Sequence, residues 1–225
     1  MVILLLLAAL AGTLAAQSPA ERRAIDLLEK GRVEEATRVL TEALRAEPKS
    51  PSINGLLGQI AFSRKDYAAA AKLFAAGAPF LEGNPLLLVN YAEALLETKA
   101  PAAALRALEK LPARDAVAQF EAGLLLARFG QFTAAERRFE LALPGYPQPQ
   151  VLKYNLGLAQ YRAGKFAASA ATLETVRKHN PDDGDVLNLL GQAYLDAGEA
   201  DKALAVLQEA TRKNMRDERN YMAIG

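Results

Sequence analysis

Small residues recur in this chain at an interval of about 34 positions, and that periodicity constrains the fold more than any other feature. One column holds Ala24, Gly58, Ala92, Gly123, Gly157 and Gly191. A second holds Ala36, Ala70, Ala104, Ala135, Ser169 and Ala203, followed a turn later by a bulky column of Leu40, Phe74, Leu108, Phe139, Leu173 and Leu207. Between the first two columns, Gly31, Gly130, Gly164 and Gly198 stand where a helix must end in a left-handed residue, and Lys65 and Lys99 fill that slot in the other two units. Pro48, Pro147 and Pro181 close the second segment of three units, because proline cannot continue a helical hydrogen-bond ladder. Ala and Leu abound and aromatic residues make up only 7%, so helix propensity dominates. Each unit therefore reads as two helices joined by a tight turn, with a small residue facing a large one where the pair crosses.

These columns resemble the tetratricopeptide repeat. The resemblance is plainest in Leu57-Gly58, Lys65-Asp66-Tyr67, Ala70 and Phe74; in Ala122-Gly123, Gly130-Gln131-Phe132, Ala135, Phe139, Ala142 and Pro147; and in Asn155-Leu156-Gly157, Gly164-Lys165-Phe166, Leu173 and Pro181. It implies an all-α fold, a right-handed α-solenoid of about six helix-turn-helix repeats. The units are expected at about 17–50, 51–84, 85–115, 116–149, 150–183 and 184–217. The sequence departs from the family pattern in having no Trp, in a third unit about three residues short, and in Gln160, which stands where an aromatic is usual, with Tyr161 beside it. Residues 218–225 resemble the start of a further repeat or a terminal cap, with Gly225 in the small-residue column.

The amino-terminal run Val2 to Ala16 is uncharged and almost wholly apolar, ends in small residues, and is too short to cross a hydrocarbon layer. It resembles a secretory signal peptide over residues 1–16, which predicts a bacterial-type exported protein, periplasmic or extracellular, with no membrane association after cleavage. Ser18-Pro19-Ala20-Glu21 then reads as a capping box that starts the first helix.

The search for chemistry returns little. The chain has no Cys, so thiolate nucleophiles and disulfides are excluded; its one His, His179, precedes Asn180-Pro181 at a helix end and reads as a solvated helix-end residue, with neither a metal site nor a Ser-His arrangement expected around it, and no cofactor is expected. Asp182, Asp183 and Asp185 lack the spacing of a calcium loop and precede a helix whose first turn favours acidic groups. Gly157 to Gly164-Lys165 has the wrong glycine spacing for a phosphate loop and puts Phe166 where Ser or Thr would hold magnesium. Carboxylate pairs such as Glu34-Glu35 read as solvated helix faces. A formal charge of +1 gives no basic surface for nucleic acid. An enzyme is not expected.

In the tetratricopeptide family the first helices line the concave face, so the resemblance implies a groove containing Phe62, Leu96, Phe120, Leu124, Arg128, Tyr154, Asn155, Leu158, Tyr161, Arg162 and Gln192. The expected function is that of a protein-protein interaction scaffold or adaptor, holding a peptide or helical segment of another protein, with self-association as a further possibility. The rival expectation is a regulatory or substrate-docking array of a longer enzyme whose catalytic domain lies beyond Gly225.

Overall fold

The computed structural model describes residues 18–214, so the expected signal peptide and the segment 218–225 lie outside the described residues. Thirteen α-helices and no strand occur among the described residues. The chain divides into two compact units, residues 1–112 and 113–225.

In the first unit, α1 (Pro19–Glu29) pairs with α2 (Val33–Ala46), α3 (Pro51–Ser63) with α4 (Tyr67–Ala76), and α6 (Pro85–Glu97) with α7 (Pro101–Leu108). The capping box at the start of α1 forms: the Glu21 amide donates to Ser18 Oγ at 3.2 Å and the Ser18 amide to Glu21 Oε2 at 2.7 Å. The other Glu21 oxygen accepts the Ser52 hydroxyl, which ties α1 to the next hairpin. A short helix, α5 (Ala78–Glu82), interrupts the regular alternation. It arises because Pro79 has no amide to donate and because Gly77 sits against α3, where a methyl group would lie 2.7 Å from the Gly55 nitrogen.

In the second unit, α8 (Ala116–Arg128) pairs with α9 (Phe132–Ala142), α10 (Pro149–Arg162) with α11 (Phe166–Arg177), and α12 (Gly184–Asp196) with α13 (Ala200–Asn214). Each second helix also packs on the first helix of the next hairpin, α9 on α10 and α11 on α12. The first helices touch one another as well, α8 with α10 and α10 with α12, so they form one continuous face.

The residues of the repeating columns meet as small against large. A methyl group added at Gly123 would lie 2.5 Å from the Phe139 ring, one at Gly58 2.7 Å from Phe74, and one at Gly157 2.8 Å from Leu173. Phe74, Phe139 and Leu173 are fully enclosed, each contributing about 1.5–3 kcal/mol by leaving water. Ser169 keeps the same close approach and satisfies its hydroxyl by donating to the Gly157 carbonyl at 2.8 Å. All six turn residues adopt positive φ, from 60° at Lys99 to 81° at Gly198, the two lysines included. The residue after each turn folds back onto the helix it leaves, as in Asp66 to the Ala61 carbonyl at 3.0 Å and Lys165 to Gln160 at 2.8 Å.

Candidate functional site

The first-helix face of the second unit is where exposed side chains of interest converge. On α10, Val151, Tyr154, Asn155, Leu158 and Arg162 recur at intervals of three and four and share one stripe. Two cavities open along that stripe. The first, of about 360 Å³, lies between α8 and α10 and is lined by Ala127, Arg128, Phe132, Asn155, Leu158, Ala159 and Arg162. Four of the expected groove residues, Arg128, Asn155, Leu158 and Arg162, thus come together around one apolar hollow. The Arg128 guanidinium lies 5.3 Å from the Phe129 ring centroid, and Asn155 donates to the Val151 carbonyl of its own helix at 2.9 Å.

The second cavity, of about 300 Å³, lies at the other end of α10, against α12. Tyr154 lines it with Gln150, Val151, Val176, Val186, Asn180, Asp183 and Asp185. Asp183 caps α12 by accepting the amides of Asp185 at 3.0 Å and Val186 at 3.2 Å. Gln150 Oε1 is enclosed without a hydrogen-bond donor. Burial, and then the negative charges of Asp185 and Asp183, push the Tyr154 hydroxyl above the usual phenol range.

The remaining expected groove residues are placed differently. Phe120 is only 5% exposed and Leu96 only 7%, so both belong to the packed interior and not to an open surface. For Phe120 the cause is the loop after α9, which lays Tyr146 over it at 4.1 Å between ring centroids, while Phe139 packs beneath at 5.7 Å. Phe62 is half-buried, edge-on to Tyr67 at 5.7 Å. Leu124 is half-buried, and Gln192 is exposed on α12. Tyr161 donates its hydroxyl to Asp196 at 2.7 Å and rests its ring on Phe166 at 5.4 Å, a bridge from α10 to α12. In the first unit the corresponding face is partly filled from within the chain, since Phe80 on α5 covers Gly55.

Val151 was not among the expected groove residues, yet it is 46% exposed on the stripe. The repeat itself carried the signal: Val117 and Val151 occupy one column, immediately after the start of the first helix, and Asp185 continues it. Both valines are large apolar side chains left open. Leu195, on the α12 part of the same face, is 57% exposed.

Comparison with known proteins points the same way as the columns. The family profile described as tetratricopeptide repeat matches residues 21–85 and 154–218, more than half of the chain. No curated protein sequence matches. Among solved structures, the chain is similar to the C-terminal part of a TPR repeat-containing protein from Cytophaga hutchinsonii, with 16% identity, TM-score 0.63, and coverage of 87% of this chain and 80% of that one. It is similar to MamA, with 18% identity, TM-score 0.58, and coverage of 76% and 96%. It is similar also to PilW, a widely conserved type IV pilus biogenesis factor, with 20% identity, TM-score 0.55, and coverage of 90% and 92%. At these identities the likeness is one of fold: an all-α stack of helix-turn-helix repeats.

Proposed function

The chain belongs to the tetratricopeptide repeat family, and from that premise we propose that it is a non-enzymatic interaction scaffold whose α8–α10–α12 face holds a segment of a partner protein. The observation that carries this reading is the pair of cavities along one stripe of α10, each with apolar walls and a few charged or polar groups. Apolar side chains of a partner entering them would lose their water, and the rim charges would select and orient the segment. The apolar run Val2 to Ala16 supports export, so the partner is proposed to be a periplasmic or extracellular protein.

Replacing Val151 and Leu158 together by Ser tests the assignment, because Val151 is exposed and Leu158 only half-buried. The expected result is loss of a stoichiometric partner that co-purifies with the parent chain, with the helical circular dichroism spectrum retained. Undiminished capture of that partner by a folded double variant would overturn the assignment.

A further inference from the structure

We propose that the outward face of α13 docks against the same face of a second copy of this chain, the two α13 helices lying antiparallel across a two-fold axis. Leu204 and Leu207 form the apolar centre of the face, with Asp201 toward one end and Arg212 toward the other. The cavities along α10 take no part in this contact.

The repeat columns show that the face lacks the cover its equivalents have. Leu204 is 59% exposed, whereas Thr37, Ala71, Leu105, Glu136 and Ala170 of the same column are all buried or half-buried. Leu207 is half-buried, although Leu40, Phe74, Leu108, Phe139 and Leu173 are fully enclosed. Leu195, near the end of α12, is exposed, while Leu28, Phe62, Leu96, Ala127 and Tyr161 are buried or half-buried. In the earlier hairpins these columns meet the hairpin that follows. Arg64 reaches back to Thr37 at 3.4 Å, Gln160 and Lys165 reach back to Glu136 at 3.4 and 2.7 Å, and Tyr161 reaches forward to Asp196 at 2.7 Å. Leucines left in water at such positions gain from any contact that removes them from it.

The first hairpin differs, since its outer side is polar, as a terminal repeat requires. Pro19, Arg23 and Asp26 are exposed on α1, in columns that hold buried Ile53, Leu57 and Ile60 in α3 and buried Val186, Leu190 and Ala193 in α12. A head-to-tail contact would therefore set Leu204 and Leu207 against charges. The apolar match for the α13 face is the same face of another copy, and that arrangement closes at a dimer. Charge sets the direction. Asp201 and Arg212 lie about three turns apart on one side of α13. Asp201 occupies the column of Glu34, whose carboxylate pairs with Arg64 of the following hairpin at 2.7 Å. Arg212 is exposed, its Nε donating to the Gln208 carbonyl at 3.3 Å. With the helices antiparallel, each Asp201 meets the second copy's Arg212, and the leucines of both copies meet between them. Parallel helices would bring like charges together at both ends.

Sedimentation velocity of the full chain from about 5 to 200 µM tests this, a range suited to an interface of one helix face per copy, below about 1,200 Å² in total. The parent is expected to pass from monomer to dimer and no further. Leu204→Glu is expected to weaken dimerisation about tenfold or more, with the helical circular dichroism spectrum retained because Leu204 is exposed in the single chain. D201R and R212E are each expected to stay monomeric where the parent dimerises. Their equimolar mixture is expected to form a dimer holding one of each, identified by native mass spectrometry, and the exchanged variant D201R/R212E to dimerise with itself. The Val151/Leu158 serine variant is expected to dimerise like the parent, so that this face and the α10 cavities fail separately. A parent that stays monomeric throughout, its α13 face kept for the chain that follows or for a different protein, overturns the proposal. So does a mass that rises past the dimer, or undiminished dimerisation of D201R and R212E alone.

Discussion

Gly58, Gly123, Gly157 and Gly191 in the first helices are places where a side chain would collide with its own hairpin partner. Ordinarily Ala in place of a mid-helix Gly gains about 0.5–1 kcal/mol in backbone entropy. At Gly123 the added methyl meets the Phe139 ring at 2.5 Å, and that ring is fully enclosed and cannot move aside. Overpacking of this kind costs about 1–3 kcal/mol, so Gly123→Ala is expected to lower the urea midpoint. At Gly83 the nearest atom to an added methyl is the Phe80 carbonyl at 3.7 Å and φ is −80°, so Gly83→Ala is expected to raise the midpoint by an amount equivalent to about 0.4–1 kcal/mol. Residues of this sort were the most legible from sequence, because a side chain that must be small leaves a mark at every period. Lys65 and Lys99 show how strongly the period determines the backbone: they take φ of 61° and 60° although L side chains disfavour that region.

At the scale of the helix, the departures from expectation come from segments outside the regular hairpins. The columns identify two helices per unit, but nothing in them announces α5, which depends on Pro79 and on Gly77 resting against α3. Likewise the first-helix position of Phe120 predicts an open aromatic, while the loop at Tyr146 closes over it. Periodicity gives the direction in which a side chain points from its helix, and only the loops decide whether something lies on top. The consequence is measurable. Phe120→Ala is expected to cost about 3–5 kcal/mol, as for other enclosed aromatics, and to shift the thermal midpoint downward in differential scanning calorimetry. Arg162→Ala, at an exposed position on the neighbouring helix, is expected to leave the midpoint within about 0.5 kcal/mol equivalent. Arg128, Asn155, Leu158 and Arg162 were readable as neighbours because they fall on adjacent first helices at matched heights. The contribution of Gln150 and Val176 was not, since it depends on how α10 and α12 open at their starts.

For the molecule as a whole, the chain has no Cys and hence no disulfide, and helices pack both within and between hairpins, with polar bridges beside them. Glu136, itself buried, receives Lys165 at 2.7 Å, and Arg177 reaches Glu209 at 2.5 Å. No helix among the described residues is long and apolar enough to cross a membrane. With the proposed export signal at residues 1–16, expression of the full chain in a Gram-negative host is expected to yield a periplasmic product beginning at Gln17, checked by amino-terminal sequencing; a cytoplasmic product retaining Met1 would overturn the export proposal.

The inward placement of Phe74, Phe120 and Phe139 governs how long any visitor stays. With those rings committed to holding hairpins together, the face meets its guest chiefly through aliphatic groups and charged tips, with only the rings of Phe132 and Tyr154 at the two cavities, and so grips less firmly than a row of aromatic anchors. An encounter there would be brief, frequent and sensitive to ionic strength, suited to a scaffold that samples and releases its clients.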